Sequence, residues 1–302
     1  MSVGSVDMRN GNAVCAILDR AAELLLGAAC RQGCVHQLGV QGRLIVAGDL
    51  HDNPVHLRRI SAFAKLQASP NHHLILQELI HGDRLINGVD LSYRAVARVA
   101  EMVTQFPGQV HPLLANHELC QMLGIGVSKG HGDGTAMFDD GLDFVFGEDA
   151  PSVADALAGF FRAMPLAVRT EGGLWCSHSI PSPEMTARFD DRVFTRALIE
   201  SDYQGPIGPA YLMVWGRGQR DAQVAELAAR WGTKLFCLGH AHAEMGAQTV
   251  TSQMAVLNSD HERGRVAEID LANLPVDADE LVLSTLPIVA LRDEQPELGG
   301  ER

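Results

Sequence analysis

Five short polar motifs in this chain each follow directly on an apolar run of strand length. They are Gly48-Asp49-Leu50-His51-Asp52-Asn53, Gln77-Glu78, Asn116-His117-Glu118, Ser177-His178 and Gly239-His240-Ala241-His242. A short apolar run that ends at glycine or a polar loop is typical of a buried strand. In α/β folds, functional residues gather at the carboxyl ends of the strands. The motifs therefore favour a fold in which several buried strands end near one site.

The order strand, loop, helix occurs three times in the first half of the chain. The predicted pairs are a strand at 43–48 with a helix at 57–67, one at 73–76 with a helix around 92–105, and one at 110–114 with a helix at 118–123. This alternation indicates an α/β core. Further predictions are helices at 13–32 and 151–164, a long surface loop at 124–150, a hairpin at 166–179, and strands within 234–242, 253–271 and 281–291.

The chemistry of the five motifs points to metal ions. Carboxylate oxygen, amide oxygen and imidazole nitrogen together suit Zn, Mn or Fe and would be an unusual set for calcium. Two cations about 3.5 to 4 Å apart need a carboxylate between them and neutral ligands to limit the total charge. Each motif alone has a simpler interpretation: Asp49 and His51 in a turn, Asn116 as a helix N-cap, His178 as a packed core histidine. The common strand-end context of all five favours the metal site.

Composition excludes several classes of protein. With 46% hydrophobic and 20% charged residues, the chain is neither disordered nor membrane-like in composition. Neither a signal-peptide pattern nor a spanning apolar stretch is apparent, so we expect a cytoplasmic protein without a membrane partner. The net charge of −13 disfavours nucleic acid as a partner. The six cysteines are scattered, without a Cys-x-x-Cys pair, and are interpreted as reduced thiols.

Read in order, the motif stretches VAGDLHDN, LQELIHGD, LLANHEL, LWCSHSIPSP and CLGHAHAE resemble those of the calcineurin-like metallophosphoesterases, most closely the phosphoprotein-phosphatase branch. The resemblance covers roughly residues 43 to 270. It implies a four-layer α/β/β/α sandwich, with two central mixed sheets flanked by helices. It also implies a catalytic domain at 41–272. The sequence pattern itself predicts a flanking helix within 1–40 and a last strand with a disordered tail in 273–302.

The resemblance also implies roles for single residues. Asp49, His51 and His242 would hold one metal ion, and Asn116, His178 and His240 would hold a second. His117 would act as the general acid, oriented by Asp49 or another nearby carboxylate. Arg217 lies where some family members bind phosphate, and it could equally be a surface arginine. The cofactors implied are two divalent or transition-metal ions, Mn, Fe or Zn, and the partner implied is a phosphorylated substrate.

The bridging carboxylate is the least constrained position, because Glu78 and Asp83 compete for it. Glu78 follows a strand as Asp49 does, whereas Asp83 has the Gly before it that the family pattern expects. We favour Glu78, since a glutamate inside a continuing buried strand would be costly.

The chain also departs from the family pattern, because the usual Asp-Arg-Gly is missing. Arg84 or Arg94 could replace the lost phosphate ligand. The first functional hypothesis is hydrolysis of a phosphomonoester, in a phosphoprotein or a small metabolite. The alternatives are a hydrolase of nucleotide polyphosphates or phosphodiesters, and a metal-binding scaffold without turnover.

Overall fold

A computed structural model describes residues 6–128 and 132–292 of the 302-residue chain. The tail predicted to be disordered, 293–302, lies outside the described residues. The strands are β1 Arg31–Gln32, β2 Val35–Leu38, β3 Arg43–Asp49, β4 His72–Gln77, β5 Val110–Leu113, β6 Ala167–Thr170, β7 Leu174–Ser177, β8 Leu235–Leu238, β9 Ala247–Thr251, β10 Met254–Leu257, β11 Arg265–Asp270 and β12 Thr285–Pro287. The α-helices are α1 Gly11–Leu26, α2 Pro54–Ala64, α3 Tyr93–Gln105, α4 Asn116–Leu123, α5 Gly134–Phe146, α6 Ala150–Ala163, α7 Glu200–Tyr203, α8 Pro209–Trp215, α9 Asp221–Trp231 and α10 Ala278–Leu283.

The strands form two mixed sheets. One has seven strands in the order β1-β2-β6-β7-β8-β10-β9, and the other has five in the order β12-β11-β3-β4-β5. In the five-stranded sheet, β3, β4 and β5 run parallel, and β11 is antiparallel to β3. In the seven-stranded sheet, β7, β8 and β10 run parallel. The loops that follow parallel neighbours leave the sheet at the same edge, which brings the predicted motifs together.

Alternation along the strands sorts side chains between the two faces of each sheet. Leu44 and Val46 of β3 pack in the core between the sheets with Cys176 of β7, whereas Ile45 and Ala47 belong to the core on the outer side. Because side chains alternate with a period of two, a strand buried on both faces reads as a continuous apolar run. This explains why strands such as RLIVAG are apolar throughout.

Helices cover the outer faces of both sheets. Helix α2 packs on β3 and β4, and α3 packs on β5. On the seven-stranded sheet, Trp231 of α9 contacts Trp175 and Phe236, with ring centroids 4.8 and 5.8 Å apart. The predicted four-layer α/β/β/α sandwich with two mixed central sheets is confirmed.

Three local predictions from the sequence differ from the structure. The glycine- and aspartate-rich region contains helix α5, which begins where Asp133 Oδ1 accepts hydrogen bonds from the amides of Thr135 and Ala136. Helix α1 ends at Leu26, and the following residues form β1 and β2 of the seven-stranded sheet. The predicted last strand is divided between α10, which begins after the N-cap Asp277, and the short β12.

Within the described part of the chain, no helix is long and apolar enough to cross a membrane.

The two sheets approach each other closely where β3 ends. A β-carbon at Gly48 would overlap the carbonyl oxygen of Leu257 on β10, and Asp49 forms a bridge to Asn258 just beyond. The Gly48 amide donates a hydrogen bond to Ser259 Oγ at 2.9 Å. Glycine is therefore required at this position for steric reasons, with no unusual backbone conformation involved.

We predict that Gly48→Ala lowers the free energy of unfolding by about 2 kcal/mol or more, because the added methyl group must separate the sheets. Urea unfolding followed by circular dichroism measures the change. Gly159→Ala is the matched control. Gly159 lies on the exposed face of α6, away from the helix ends, with open space where a β-carbon would be. That control should gain about 0.5–1 kcal/mol, and equal behaviour of the two variants would contradict the steric argument.

Candidate metal centre

The loops that follow β3, β4, β5, β8 and β10 meet in a cleft of about 250 Å³. Eight of the nine predicted site residues line the cleft. They are Asp49, His51, Glu78, Asn116, His117, Arg217, His240 and His242. The ninth, His178, is fully buried just after β7, and its Nε2 atom lies 2.7 Å from Asn116 Oδ1. The structure thus brings all nine residues to one place.

Glu78 lies at the centre of the cluster. Its carboxylate oxygens are 3.3 Å from His51 Nε2, 3.6 Å from His117 Nε2 and 3.7 Å from His178 Nε2. Asp83 is exposed and lines a neighbouring cleft instead. Glu78 therefore has the position that a carboxylate shared between two ions would need.

Asp49 is held in place by two donors from other loops. The His240 amide donates to Asp49 Oδ1 at 2.9 Å, and Asn258 Nδ2 donates to Asp49 Oδ2 at 3.3 Å. Burial, and next the negative charge of Glu78, raise the pKa of Asp49 well above its ordinary value. Two buried carboxylates side by side are costly unless protons or cations offset their charge.

His178 has a hydrogen-bond acceptor opposite each ring nitrogen. Its Nδ1 lies 2.9 Å from Gln77 Oε1, and Gln77 Nε2 donates to the carbonyl of Ala47, which fixes the orientation of this amide. Burial, and next the charge of His240, lower the pKa of His178, so the ring is neutral and carries one proton. That one proton can serve only one of the two acceptors, so in either tautomer one ring nitrogen presents its lone pair to an oxygen, Asn116 Oδ1 or Gln77 Oε1. A cation held by Nε2 and Asn116 Oδ1 would relieve this conflict, with the proton on Nδ1 donated to Gln77.

His240 completes this second group of ligands. Its ring is 4.9 Å from that of His178, and its buried Nε2 has no hydrogen-bond partner among the described residues. Burial, and next the positive charge of Arg217, lower its pKa to about 3. A neutral imidazole with an unused nitrogen is the form that binds metal.

Three of the cleft residues have left-handed backbone conformations, although none is glycine. The φ angles are +42° at His51, +47° at Glu78 and +62° at His240. This conformation costs side-chain-bearing residues about 1–3 kcal/mol each and concentrates at functional sites. Each of the three lies one or two residues after the end of its strand, where the chain turns and the residue's own side chain lines the cleft.

His117 lies beside Glu78 at the start of α4. Its ring centroid is 5.1 Å from that of His51 and 5.3 Å from that of His81. The carboxylate beside it is that of Glu78, whose Oε1 lies 3.6 Å from His117 Nε2. A ring that lines the cleft and faces a carboxylate is well placed to move a proton.

Arg217 is the arginine that lines this cleft. Arg84, a suggested substitute, forms an ion pair with Asp52 at 3.0 Å and lines the neighbouring cleft. Arg94 lines a larger groove between α2 and α3. Neither Arg84 nor Arg94 lines the cleft that contains Arg217.

Three residues support the ligands without having been assigned that role from the sequence: Gln77 and Glu118, which lie in the predicted motifs, and Asn258, which does not. Glu118 accepts a hydrogen bond at 2.7 Å from the Leu79 amide and so ties α4 to the Glu78 loop. Gln77 contacts His178, and Asn258 donates a hydrogen bond to Asp49. The stretch LNSD at 257–260, a polar motif directly after an apolar run, was the signal that could have identified Asn258.

The side-chain atoms that could hold a metal form two groups that share Glu78. One contains His51, Glu78 and His117, and the other contains Asp49, Glu78 and His178, with the atoms of a group within 4.8 Å of one another. The buried His240 Nε2, which has no hydrogen-bond partner among the described residues, adds a further possible ligand, so the described residues fit metal ions.

Solved structures share this fold. A protein serine/threonine phosphatase from Saccharomyces cerevisiae, described as similar to human phosphatase PP5, matches with a TM-score of 0.62 and 15% identity over 86% of this chain and 83% of its own. A cold-active protein-tyrosine phosphatase of a psychrophilic Shewanella species matches with a TM-score of 0.51 and 13% identity over 83% of this chain and 80% of its own. A comparison with curated protein sequences gave no significant match.

A family model described as calcineurin-like phosphoesterase matches residues 42–244, about two thirds of the chain and all the proposed metal ligands. The resemblance noted in the motifs is confirmed, and the chain belongs to the calcineurin-like phosphoesterase family of metal-dependent hydrolases that act on phosphoric esters.

Proposed function

We propose that the chain hydrolyses phosphomonoesters, either in phosphoproteins or in small metabolites, with two transition-metal ions in the cleft. The observation that carries the proposal is the shared position of Glu78, which belongs to two groups of possible ligand atoms, one with His51 and the other with Asp49 and His178. His178 Nε2 in turn lies 2.7 Å from Asn116 Oδ1. Two ion positions that share one carboxylate are typical of metallohydrolases of phosphoric esters.

The ligands divide between the two ions. Asp49, His51 and His242 would hold one ion, with Glu78 between the two positions. The other ion would be held by Asn116, His178 and His240. Mixed oxygen and nitrogen ligands suit Mn, Fe or Zn.

The bound ions would supply a water of lowered pKa as nucleophile and would stabilise charge on the phosphoryl oxygens. The chain's own residues do the remaining work. Asn258 and the His240 amide hold the Asp49 carboxylate, and Gln77 fixes the tautomer of His178, so the ligands need little rearrangement. His117 donates a proton to the leaving oxygen, which contributes about 10² to 10⁴ in rate.

Arg217 would bind the phosphoryl oxygens of the substrate. It lines the cleft, and its positive charge acts on both His178 and His240. The chain as a whole carries a charge of −13, so an anionic substrate needs local positive charge at the site. A guanidinium beside two cations meets this requirement.

The position of His117 favours turnover over a metal-binding scaffold. A scaffold has no use for an imidazole that borders the cleft and faces Glu78, on a helix that Glu118 ties to the Glu78 loop. The catalytic unit proposed at 41–272 contains all of these residues.

The proposal predicts a metal requirement. Mn²⁺-loaded protein should contain two ions per chain and should hydrolyse a nitrophenyl phosphomonoester faster than the matching bis-nitrophenyl diester. Removal of the metal by a chelator should abolish the activity, and Mn²⁺ should restore it. Elemental analysis and steady-state kinetics measure both properties. Activity that persists in metal-free protein would reject the mechanism, and faster turnover of the diester would favour the phosphodiesterase alternative.

His117→Asn should lower kcat by roughly 10² to 10⁴ for a substrate with a basic leaving group, because protonation of that group is lost. The metal content should stay unchanged. The loss should shrink for nitrophenyl phosphate, whose leaving group needs little protonation. His72→Asn, outside the cleft, is the matched control and should keep normal kcat. Loss of metal in His117→Asn would instead make His117 a ligand.

Glu78→Gln and Asp83→Asn form a matched pair of isosteric changes that remove one negative charge each. We expect Glu78→Gln to abolish activity and to weaken at least one metal site, because its carboxylate belongs to both ligand groups. Asp83→Asn should leave activity and metal affinity nearly intact, since Asp83 is exposed in a neighbouring cleft. Isothermal titration with Mn²⁺ measures the affinities, and the reverse pattern would move the bridge to Asp83.

A further inference from the structure

Three histidines lie in the core between the two sheets, in strand positions that alternation would fill with apolar residues. His36 on β2 has the same parity as Leu38, and His111 on β5 has the same parity as Leu113. His36 and His111 are 1% and 0% exposed. The third, His73, is half-buried near the start of β4. The catalytic loops follow the opposite, carboxyl ends of β4 and β5, so this cluster belongs to another part of the fold.

The three imidazoles are in direct contact. His36 Nδ1 lies 2.9 Å from His111 Nδ1, and His111 Nε2 lies 3.2 Å from His73 Nδ1. Two Nδ1 lone pairs that face each other at this distance need a positive centre between them, which is either a proton or a metal ion.

Burial keeps these histidines in the form that binds metal. It lowers the pKa of His36 to about 3 and that of His73 to about 4, and it lowers the pKa of His111 further. All three rings are therefore neutral at physiological pH. A neutral imidazole can accept a metal ion without first losing a proton.

Cys30 adds a sulfur ligand to the cluster. One ligand atom each of Cys30, His36 and His111 lies within 4.8 Å of the other two. Cys30 is half-buried, which gives the cluster access to solvent. Burial raises the pKa of its thiol, and the backbone hydrogen bond and Arg31 act in the opposite direction. A bound divalent cation would deprotonate this thiol outright.

We propose that Cys30, His36 and His111 form a zinc site separate from the catalytic centre. Thiolate and imidazole together select zinc among the common divalent ions, whereas the catalytic cleft offers oxygen and nitrogen ligands. Two Zn–N bonds of about 2.0 Å at the tetrahedral angle separate the nitrogens by about 3.3 Å. The observed 2.9 Å between the Nδ1 atoms requires a shift of only about 0.4 Å.

His73 has a supporting role in this site. With the ion on His111 Nδ1, the Nε2–H of His111 donates to His73 Nδ1. Histidine ligands usually donate their second ring proton to such a partner, which fixes the tautomer and the ring orientation. Water would complete the coordination. Since His36 belongs to the seven-stranded sheet and His111 to the five-stranded one, the ion would join the two sheets.

Cobalt substitution tests the proposal with a signal that the catalytic centre cannot give. Among the described residues, no cysteine lines the catalytic cleft, so a thiolate-to-cobalt charge-transfer band can arise only elsewhere. Co²⁺-loaded protein should show this band in the near ultraviolet. Cys30→Ser should lose the band and about one metal ion per chain while keeping its phosphoesterase kcat. Cys15→Ser, which changes another half-buried cysteine, should keep both the band and the metal.

Two further measurements do not depend on the folding of Cys30→Ser. In the wild-type protein, Zn²⁺ should protect Cys30 from alkylation, read by peptide mass spectrometry, and should leave the alkylation rate of Cys15 unchanged. His73→Phe should weaken zinc affinity at this site by roughly 10- to 100-fold. Absence of the charge-transfer band, its persistence in Cys30→Ser, or equal alkylation of Cys30 with and without Zn²⁺ would overturn the proposal.

Discussion

The burial of two carboxylates and several neutral ligand atoms in one cleft is the constraint on which the rest of this structure depends. Asp49 and Glu78 are only 4% and 3% exposed, and each raises the cost of charge on the other. His178 adds a ring whose single proton cannot serve both Asn116 and Gln77. The cleft therefore concentrates acceptor atoms, and cations would offset both the negative charge and the lack of donors.

The fold supplies the rigid frame that such a cluster requires. Each ligand follows a strand that is buried on both faces, and left-handed residues turn the chain sharply at three of these ends. Gly239 shows how closely the parts fit, because a β-carbon there would overlap Asp49 Oδ1 and Gln77 Oε1. The absence of a side chain at Gly239 thus leaves room for the Asp49 carboxylate and for the Gln77 amide that contacts His178.

Much of this arrangement could be predicted from local patterns, and the exceptions share a cause. The strand runs are apolar throughout because both faces are buried, so the boundaries of β3 and β4 were predicted to within one or two residues. Helix α5 was missed because its glycines and aspartates weaken helix propensity, whereas Gly141 in fact allows close approach to the carbonyl of Asp90. The position of Glu78 relative to Asp83 also depends on tertiary structure, since both follow the same strand.

The layer between the sheets has buried polar groups at both of its ends. Along most of its length, leucine, valine and cysteine side chains fill the space and need no partner. At one end the strands lead into the loops that carry the proposed metal ligands, and at the other end three histidines occupy inward positions. A buried imidazole gains nothing over leucine as packing and must have its nitrogens satisfied. A metal ion between His36 Nδ1 and His111 Nδ1 would give these buried polar groups a physical reason, as ions in the cleft would at the other end.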